Sequence, residues 1–290
     1  MKRKLILGTV QFGIDYGINN KDGKPSFEKV KEILDFAYIK GIRLIDTAEA
    51  YGNSESRIGE YHKLTSNKFN VITKFSPSRT DLPEKITDRV NNNLKTLGVD
   101  FLYSYMFHSY DDYIKYFSYF KDDLIGLRKS NKIKKIGVSL HSNDQIIEVL
   151  KEKHIDLIQL PFNLLDNSNQ REGVLLKAKM KGIEIHSRSV FLQGLFFKDV
   201  NKLSGSLLKV KEGLNKLNNL VTKENMNDLA LNYVCSKEYI DGVLFGVDNV
   251  DQLKSNIDCI ENQSIKGIIG EVDKIYIVDK SILNPANWTK

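Results

Sequence analysis

Three short apolar runs in the first 108 positions of this 290-residue chain end in an ionisable side chain, and a tyrosine follows the first of them. The run Ile42–Ile45 ends in Asp46, with Tyr51 five residues on. Phe69–Thr73 ends in Lys74, and Leu102–Phe107 ends in His108. A lone carboxylate at the end of a buried strand is costly, so Asp46 needs a partner or a chemical task. A tyrosine hydroxyl ionises near pH 10, too high for efficient proton transfer at neutral pH. A nearby ammonium stabilises the phenolate and lowers that value. A carboxylate beside the ammonium keeps the lysine charged and fixed, and a histidine across the pocket can orient a substrate oxygen. Together the four suit proton transfer at a carbonyl or alcohol. They provide no electron acceptor, so a redox reaction would need a borrowed hydride.

Such residues meet only in a fold that gathers strand ends on one face. In a parallel α/β barrel the carboxyl ends of all strands converge, and catalysis is found there. Leu5–Gly13 opens with strand-like residues and passes into a long loop in which Gly13, Gly17 and Gly23 surround Asp15, Tyr16 and Asn19. Its glycine spacing matches neither a dinucleotide fingerprint nor a P-loop. Pro25-Ser26 starts a helix that Gly41 ends, and Asn53 or Ser54 caps a helix to Tyr61. Asp81-Leu82-Pro83-Glu84 opens another, closed by Gly98. Tyr113–Lys129 has a helical pattern, and its aromatic residues belong to the core. Lys135–Ser139 is the fifth strand, followed by the capping box Ser142-x-x-Gln145. Leu157–Pro161 and Ile183–Ser187 are the sixth and seventh, with the Val174–Lys181 helix between them. Val190–Phe197 is a loop, Lys202–Asn219 and Met226–Ser236 are helical, and Gly242–Phe245 is the eighth strand. A second capping box, Asn249-x-x-Gln252, opens a helix to Ile260. Eight alternations without a composition break predict a single-domain (β/α)8 TIM barrel over residues 1–290. A doubly wound sheet is the runner-up.

Net charge is +6 and the isoelectric point near 9.0, but the lysines are scattered, with no dense basic block interleaved with aromatics. A solvated exterior is therefore expected, and neither nucleic acid nor membrane as partner. Cys235 and Cys259 are far apart and belong to no metal-type pair, which argues against a disulfide framework or a zinc site and fits a reducing compartment. The basic Met1–Lys4 start precedes an apolar run too short for a signal peptide. A cytoplasmic enzyme, monomeric or weakly homo-oligomeric, acting on a small-molecule carbonyl or sugar, is expected.

The motif Ile45-Asp46-Thr47-Ala48-x-x-Tyr51-Gly52 and the lysine strand Val71-Ile72-Thr73-Lys74 resemble the aldo-keto reductase superfamily, over nearly the whole chain. The Gly8–Gly13 opening resembles a bacterial branch associated with sugar or aldehyde substrates. The resemblance implies NADP or NAD as cofactor and a catalytic tetrad of Asp46, Tyr51, Lys74 and His108. In it Tyr51 is the general acid in reduction and the base in oxidation, Lys74 and Asp46 tune it, and His108 positions the carbonyl. It also implies that Ser139, Gln159 and Asn163 hold the nicotinamide carboxamide. His186 takes the usual stacking position, with Ser187 and Arg188 after it. Gln193 and Gly194 cover the pyrophosphate. Gly246, Asp248, Gln252 and Asn256 take the adenosine half, where a helix N-terminus accepts phosphate. The chain departs from the pattern at three places. Leu140 stands where asparagine is common, and Arg188 where proline is usual. Val247, Asp248 and Gln252 replace the cationic residues of NADP-preferring members. An aspartate there repels a 2′-phosphate and can accept from a ribose hydroxyl, so NADP preference is expected to be weaker than the family norm, with NAD usable.

Two other functions are compatible with these residues. A Schiff-base aldolase would use Lys74 as nucleophile, against the effect of Asp46 on its pKa. A redox-sensing subunit would bind nicotinamide without turnover. His62, His141 and His154 are assigned no role.

Overall fold

A computed structural model describes residues 4–17, 20, 23–77, 84–261 and 266–289. Eight parallel strands close into a barrel in chain order: β1 (Leu5–Gly8), β2 (Leu44–Asp46), β3 (Asn70–Phe75), β4 (Ser104–Phe107), β5 (Ile136–Ser139), β6 (Leu157–Pro161), β7 (Glu184–Arg188) and β8 (Gly242–Gly246). β8 pairs back onto β1, with Gly246 opposite Gly8, so no edge strand remains. The (β/α)8 expectation holds. Their outer faces pack on a ring of helices: α2 (Phe27–Ile39), α3 (Ser54–Leu64), α4 (Ile86–Leu97), α5 (Tyr110–Lys129), α6 (Asn143–Val149), α7 (Ser168–Met180), α9 (Met226–Ser236) and α10 (Val250–Glu261). α1 (Val10–Gly13) is a single turn after β1, α8 (Lys211–Leu220) lies between β7 and α9, and α11 (Ile269–Val272) follows α10. No helix among the described residues is long and apolar enough to cross a membrane.

Local sequence explains most boundaries. Ser26 and Ser109 cap α2 and α5 through their hydroxyls. The Ser142/Gln145 capping box at α6 is complete. The α10 box is half made. Asn249 accepts from the Gln252 amide, but the Gln252 side chain accepts from Asp248 N at 2.8 Å, one residue earlier than a box requires. Gly98 ends α4 in the left-handed conformation, φ 64°. The start signal at Asp81–Pro83 lies outside the described residues, as does Asn19. α3 begins without a side-chain cap, because the Ser54 hydroxyl is bonded to Thr9. The Lys202–Asn219 stretch departs from expectation. It forms two short 3₁₀ pieces before α8, broken by Gly205 at φ 57°.

Alternation decides what faces the barrel's interior. Ile72, Met106 and Leu157 form a small apolar cluster inside it, separate from the sheet–helix core. The next inward positions up β3, β4 and β6 are Lys74, His108 and Gln159. The inner rows of the other strands finish at Gly8, Asp46, Ser139, Arg188 and Gly246. One side chain or glycine from each strand thus rims the barrel mouth.

Candidate active site

All eight of these residues line one cleft of about 940 Å³ at the carboxyl end of the barrel, a size typical of small-molecule and cofactor sites. At its floor the Lys74 ammonium donates to Asp46 Oδ1 at 2.5 Å and to the Thr47 carbonyl at 2.9 Å. Both side chains are 1% exposed. Gln159 Nε2 donates to the other Asp46 oxygen at 2.8 Å, so both carboxylate oxygens are engaged. Burial pulls the Lys74 pKa down more than any other single influence, but Asp46 and Tyr51 together outweigh it and the net direction is up. Lys74 is therefore a fixed cation at neutral pH.

Tyr51 lies over this pair. Its ring centre is 5.2 Å from the Lys74 nitrogen and meets the His108 ring edge-to-face at 5.5 Å. The sequence suggests a lowered phenol pKa. In the structure burial dominates and the net shift is upward, with Lys74 and then Arg188 opposing it and Asp46 adding to it. The ammonium thus limits a rise that desolvation imposes. His108 is pushed down to about 3, by burial first and then by Lys74 and Arg188. It is neutral across the physiological range, able to donate one hydrogen bond without bringing a charge.

The loop carrying Tyr51 is held from below by Glu49, which the sequence reading passed over. Its buried carboxylate accepts from Ser76 N, Asn93 Nδ2, the Tyr105 hydroxyl and Arg89 Nη1 at 2.8–3.2 Å. Close backbone packing holds it from the side. A Cβ on Gly13 would lie 1.7 Å from the Tyr51 carbonyl oxygen, so only glycine lets α1 seat against that loop. Thr9, Thr47 and Ser54 link β1, β2 and α3 by hydroxyl bonds beside it.

Of the residues assigned to a cofactor, Ser139, Gln159, Arg188, Gln193, Gly194, Gly246, Asp248, Gln252 and Asn256 line the cleft. Three do not. His186 is an inner residue of β7 one layer below Arg188, where its Nε2 meets Glu184 Oε1 at 2.6 Å and its Nδ1 has no partner. That pattern is a neutral imidazole donating through Nε2. Burial pushes its pKa down to about 4, with Lys135 and Lys74 adding to the fall and Asp46 and Asp241 opposing it. Ser187 points outward and donates to the Gly242 carbonyl of β8. Asn163 closes the turn after β6, accepting from Leu165 N and Asp166 N at 3.0 Å and donating to the Ser189 carbonyl. The structure therefore corrects the stacking position: the β7 side chain at the cleft is Arg188.

The sequence assigns no individual role to several other wall residues. Gln11 lies against Gly246, where a Cβ would come within 2.4 Å of its amide, and its buried Oε1 has no partner. Gln193 Nε2 reaches the Tyr16 hydroxyl at 3.2 Å, joining the loops after β7 and β1. His141, passed over as a loop residue, contacts Arg188. The flat Gly246 backbone beside an unpaired acceptor, the left-handed turn at Gln193 and Gly194, and the amino end of the 12-residue α10 make an extended groove running from the floor. These features fit a dinucleotide.

A sequence profile described as "Aldo/keto reductase family" matches residues 4–277. The NADH-specific methylglyoxal reductase of Escherichia coli K12 is 25% identical over 75% of this chain and 78% of its own. The aldo-keto reductase YhdN of Bacillus subtilis is 31% identical over 54% of this chain and 49% of its own. Among solved structures, the holo form of aldo-keto reductase AKR11C1 from Bacillus halodurans superposes with a TM-score of 0.74 at 21% identity, over 95% of this chain and 94% of that one. With its barrel closed and the profile matching nearly end to end, this chain belongs to the aldo/keto reductase family.

Proposed function

We propose that this oxidoreductase uses NAD(P) to interconvert the carbonyl and alcohol of a sugar-like or small aldehyde substrate, with Tyr51 as proton donor and acceptor. The observation that carries the reading is the floor geometry: a phenol between a neutral imidazole and an ammonium locked by a carboxylate, at the mouth of a barrel.

A nicotinamide dinucleotide held along the groove would supply the hydride. Ser139 and Gln159 would hold its carboxamide end, Gln193 and Gly194 its pyrophosphate, and Gly246, Asp248, Gln252 and Asn256 its adenosine half. The protein does the rest. His108, neutral at working pH, donates to the substrate carbonyl oxygen and aims the carbon. Tyr51 gives its hydroxyl proton to that oxygen as charge develops there. The phenolate left behind is stabilised by the Lys74 ammonium, which Asp46 and the Thr47 carbonyl keep in place. A fixed dipole and cation of this kind need not reorganise during reaction, and such groups contribute on the order of 10²- to 10³-fold each. The raised Lys74 pKa opposes a Schiff-base aldolase, which needs a neutral amine. The free, buried Cys235 and Cys259 fit a cytoplasmic setting.

NADH is the cofactor expected to serve best. Asp248 and Gln252 line the adenosine end of the cleft, and like charges a few ångströms apart in solvent disfavour a 2′-phosphate by about 1–2 kcal/mol. The relative named for NADH specificity supports the same reading. The test is a panel of aldoses, sugar derivatives and aldehydes followed by nicotinamide absorbance, with both cofactors and in both directions. NADH-dependent turnover of at least one class is expected. A hundredfold preference for NADPH would refute the cofactor assignment.

A further inference from the structure

Arg188 is the group at the floor that the scheme above leaves without work. Its side chain enters the cleft from the top of β7, in the same rim as Lys74 and His108. Among the described residues no carboxylate lies within ion-pairing distance of its guanidinium. Its contacts are weak or neutral: the Leu140 carbonyl and the Ser189 hydroxyl at 3.4 Å, and the His141 ring at 2.8 Å. Its Nε is sealed from solvent with no partner at all. Asp166, a carboxylate whose charge reaches Arg188, is taken by Arg171 through Nε and Nη2 at 2.6 and 2.7 Å. The other floor cation, Lys74, is taken by Asp46. Among the described residues the floor thus holds one uncompensated positive charge, and it is on a planar fork of donors.

From this geometry we propose that Arg188 binds an anionic group of the substrate, and that the preferred substrates are carbonyl compounds bearing a carboxylate a few atoms from the reacting carbon. The inference rests on the reading of the cleft as a carbonyl-reducing site. A guanidinium matches a carboxylate through two parallel N–H bonds. A single free cation balances a monoanion. A phosphate dianion would need a second cation, and Lys74 is not available for one. Proximity to the reacting groups is visible in the electrostatics, since Arg188 opposes ionisation of Lys74 and His108 to their charged forms and favours phenolate at Tyr51. The neighbouring His141 is held neutral, its pKa pushed to about 4 by burial and then by Arg188 and Arg171, so it adds no competing charge.

The experiment compares matched substrates: succinic semialdehyde against butanal, and glucuronate against glucose, each with NADH, in the full-length protein and in Arg188→Gln and Arg188→Lys. The readout is the ratio of kcat/KM for the charged over the uncharged member, which cancels any effect of Arg188 on Tyr51. A charge-assisted pair predicts a ratio of roughly 10- to 100-fold in the original chain. It should fall to near unity in Arg188→Gln and recover in part in Arg188→Lys. Calorimetric titration of the NADH-loaded protein with succinate is the second arm, with at least tenfold weaker binding expected for Arg188→Gln. A charged-to-uncharged ratio within threefold of unity in the original chain overturns the proposal. So does a variant that keeps the ratio while losing NADH affinity, which would assign the guanidinium to the dinucleotide. If nothing in the panel is reduced yet succinate binding depends on Arg188, the anion site stands and the reductase reading falls. If succinate binds both proteins alike, the anion site falls.

Discussion

Lys74→Met separates what the buried pair does for stability from what it does for reactivity. Methionine fills similar space without charge, so the substitution leaves the Asp46 carboxylate 1% exposed with the Gln159 amide as its remaining side-chain donor. Removing one partner of a buried ion pair costs about 3–5 kcal/mol. At about 2.1 cal/mol/K of unfolding entropy per residue, a chain of 290 residues loses roughly 1.6 °C of Tm per kcal/mol, so Tm should fall by about 5–8 °C. Adding Asp46→Leu removes the stranded charge and should restore most of that loss. Turnover should not return in the double variant. With Lys74 Nζ 5.2 Å from the Tyr51 ring centre, Coulomb's law at an effective dielectric near 20 gives about 3 kcal/mol of phenolate stabilisation, on the order of a hundredfold in rate. Thermal melts by circular dichroism and single-turnover kinetics read the two effects. A single variant melting within 2 °C of the original, or a double variant still melting as low as the single, would refute the buried-pair argument. Recovery of turnover with recovery of Tm would refute the role given to the ammonium.

Two further outcomes follow from the same geometry. His108 and His186 have folded pKa values near 3 and 4, below the unfolded value near 6.5. The unfolded chain therefore binds more protons between about pH 6.5 and pH 4, and stability must fall as pH drops through that window, by up to about 1.4 kcal/mol per pH unit for each group. Melts between pH 7 and 4.5 should show the slope, which His141, also pushed down to about 4, shares, so His108→Gln should remove up to about a third of it; a flat profile would contradict the neutral assignments. Gly13→Ala should disorder the Tyr51 loop, because its Cβ would fall 1.7 Å from a backbone oxygen that cannot yield cheaply. Activity should drop at least tenfold, and unchanged kinetics would mean that α1 does not set the tyrosine.

The barrel is legible because every strand but β7 is largely a short apolar run bracketed by turn or cap residues, with helical periodicity between the runs. The stretch before α8 is not, since Lys, Leu and Asn in rotation score as helix while Gly205 breaks the chain at positive φ. At the floor, Asp46, Lys74 and His108 are visible as ionisable residues ending apolar runs, and Tyr51 by its spacing from Asp46. On β7 the resemblance puts His186 at the stacking position, whereas the side chain that lines the cleft is Arg188. Choosing between His186 and Arg188 requires knowing which residues point inward, and a strand with polar residues on both faces does not reveal that. Glu49 escaped notice because its importance lies in donors from β3, β4 and α4, which sequence distance hides. Gln11, in the single turn α1, and Tyr16 just after it carry no signal of a contact in their spacing, and closure of β1 onto β8 brings Gln11 against Gly246.

The central claim is that Tyr51 moves the proton. Tyr51→Phe keeps the ring against His108 and removes only the hydroxyl, so NADH affinity measured by fluorescence titration should stay within about threefold while kcat falls by at least 10²-fold, the usual scale for a lost general acid. Turnover within tenfold of the original chain, with NADH bound as before, would contradict the account.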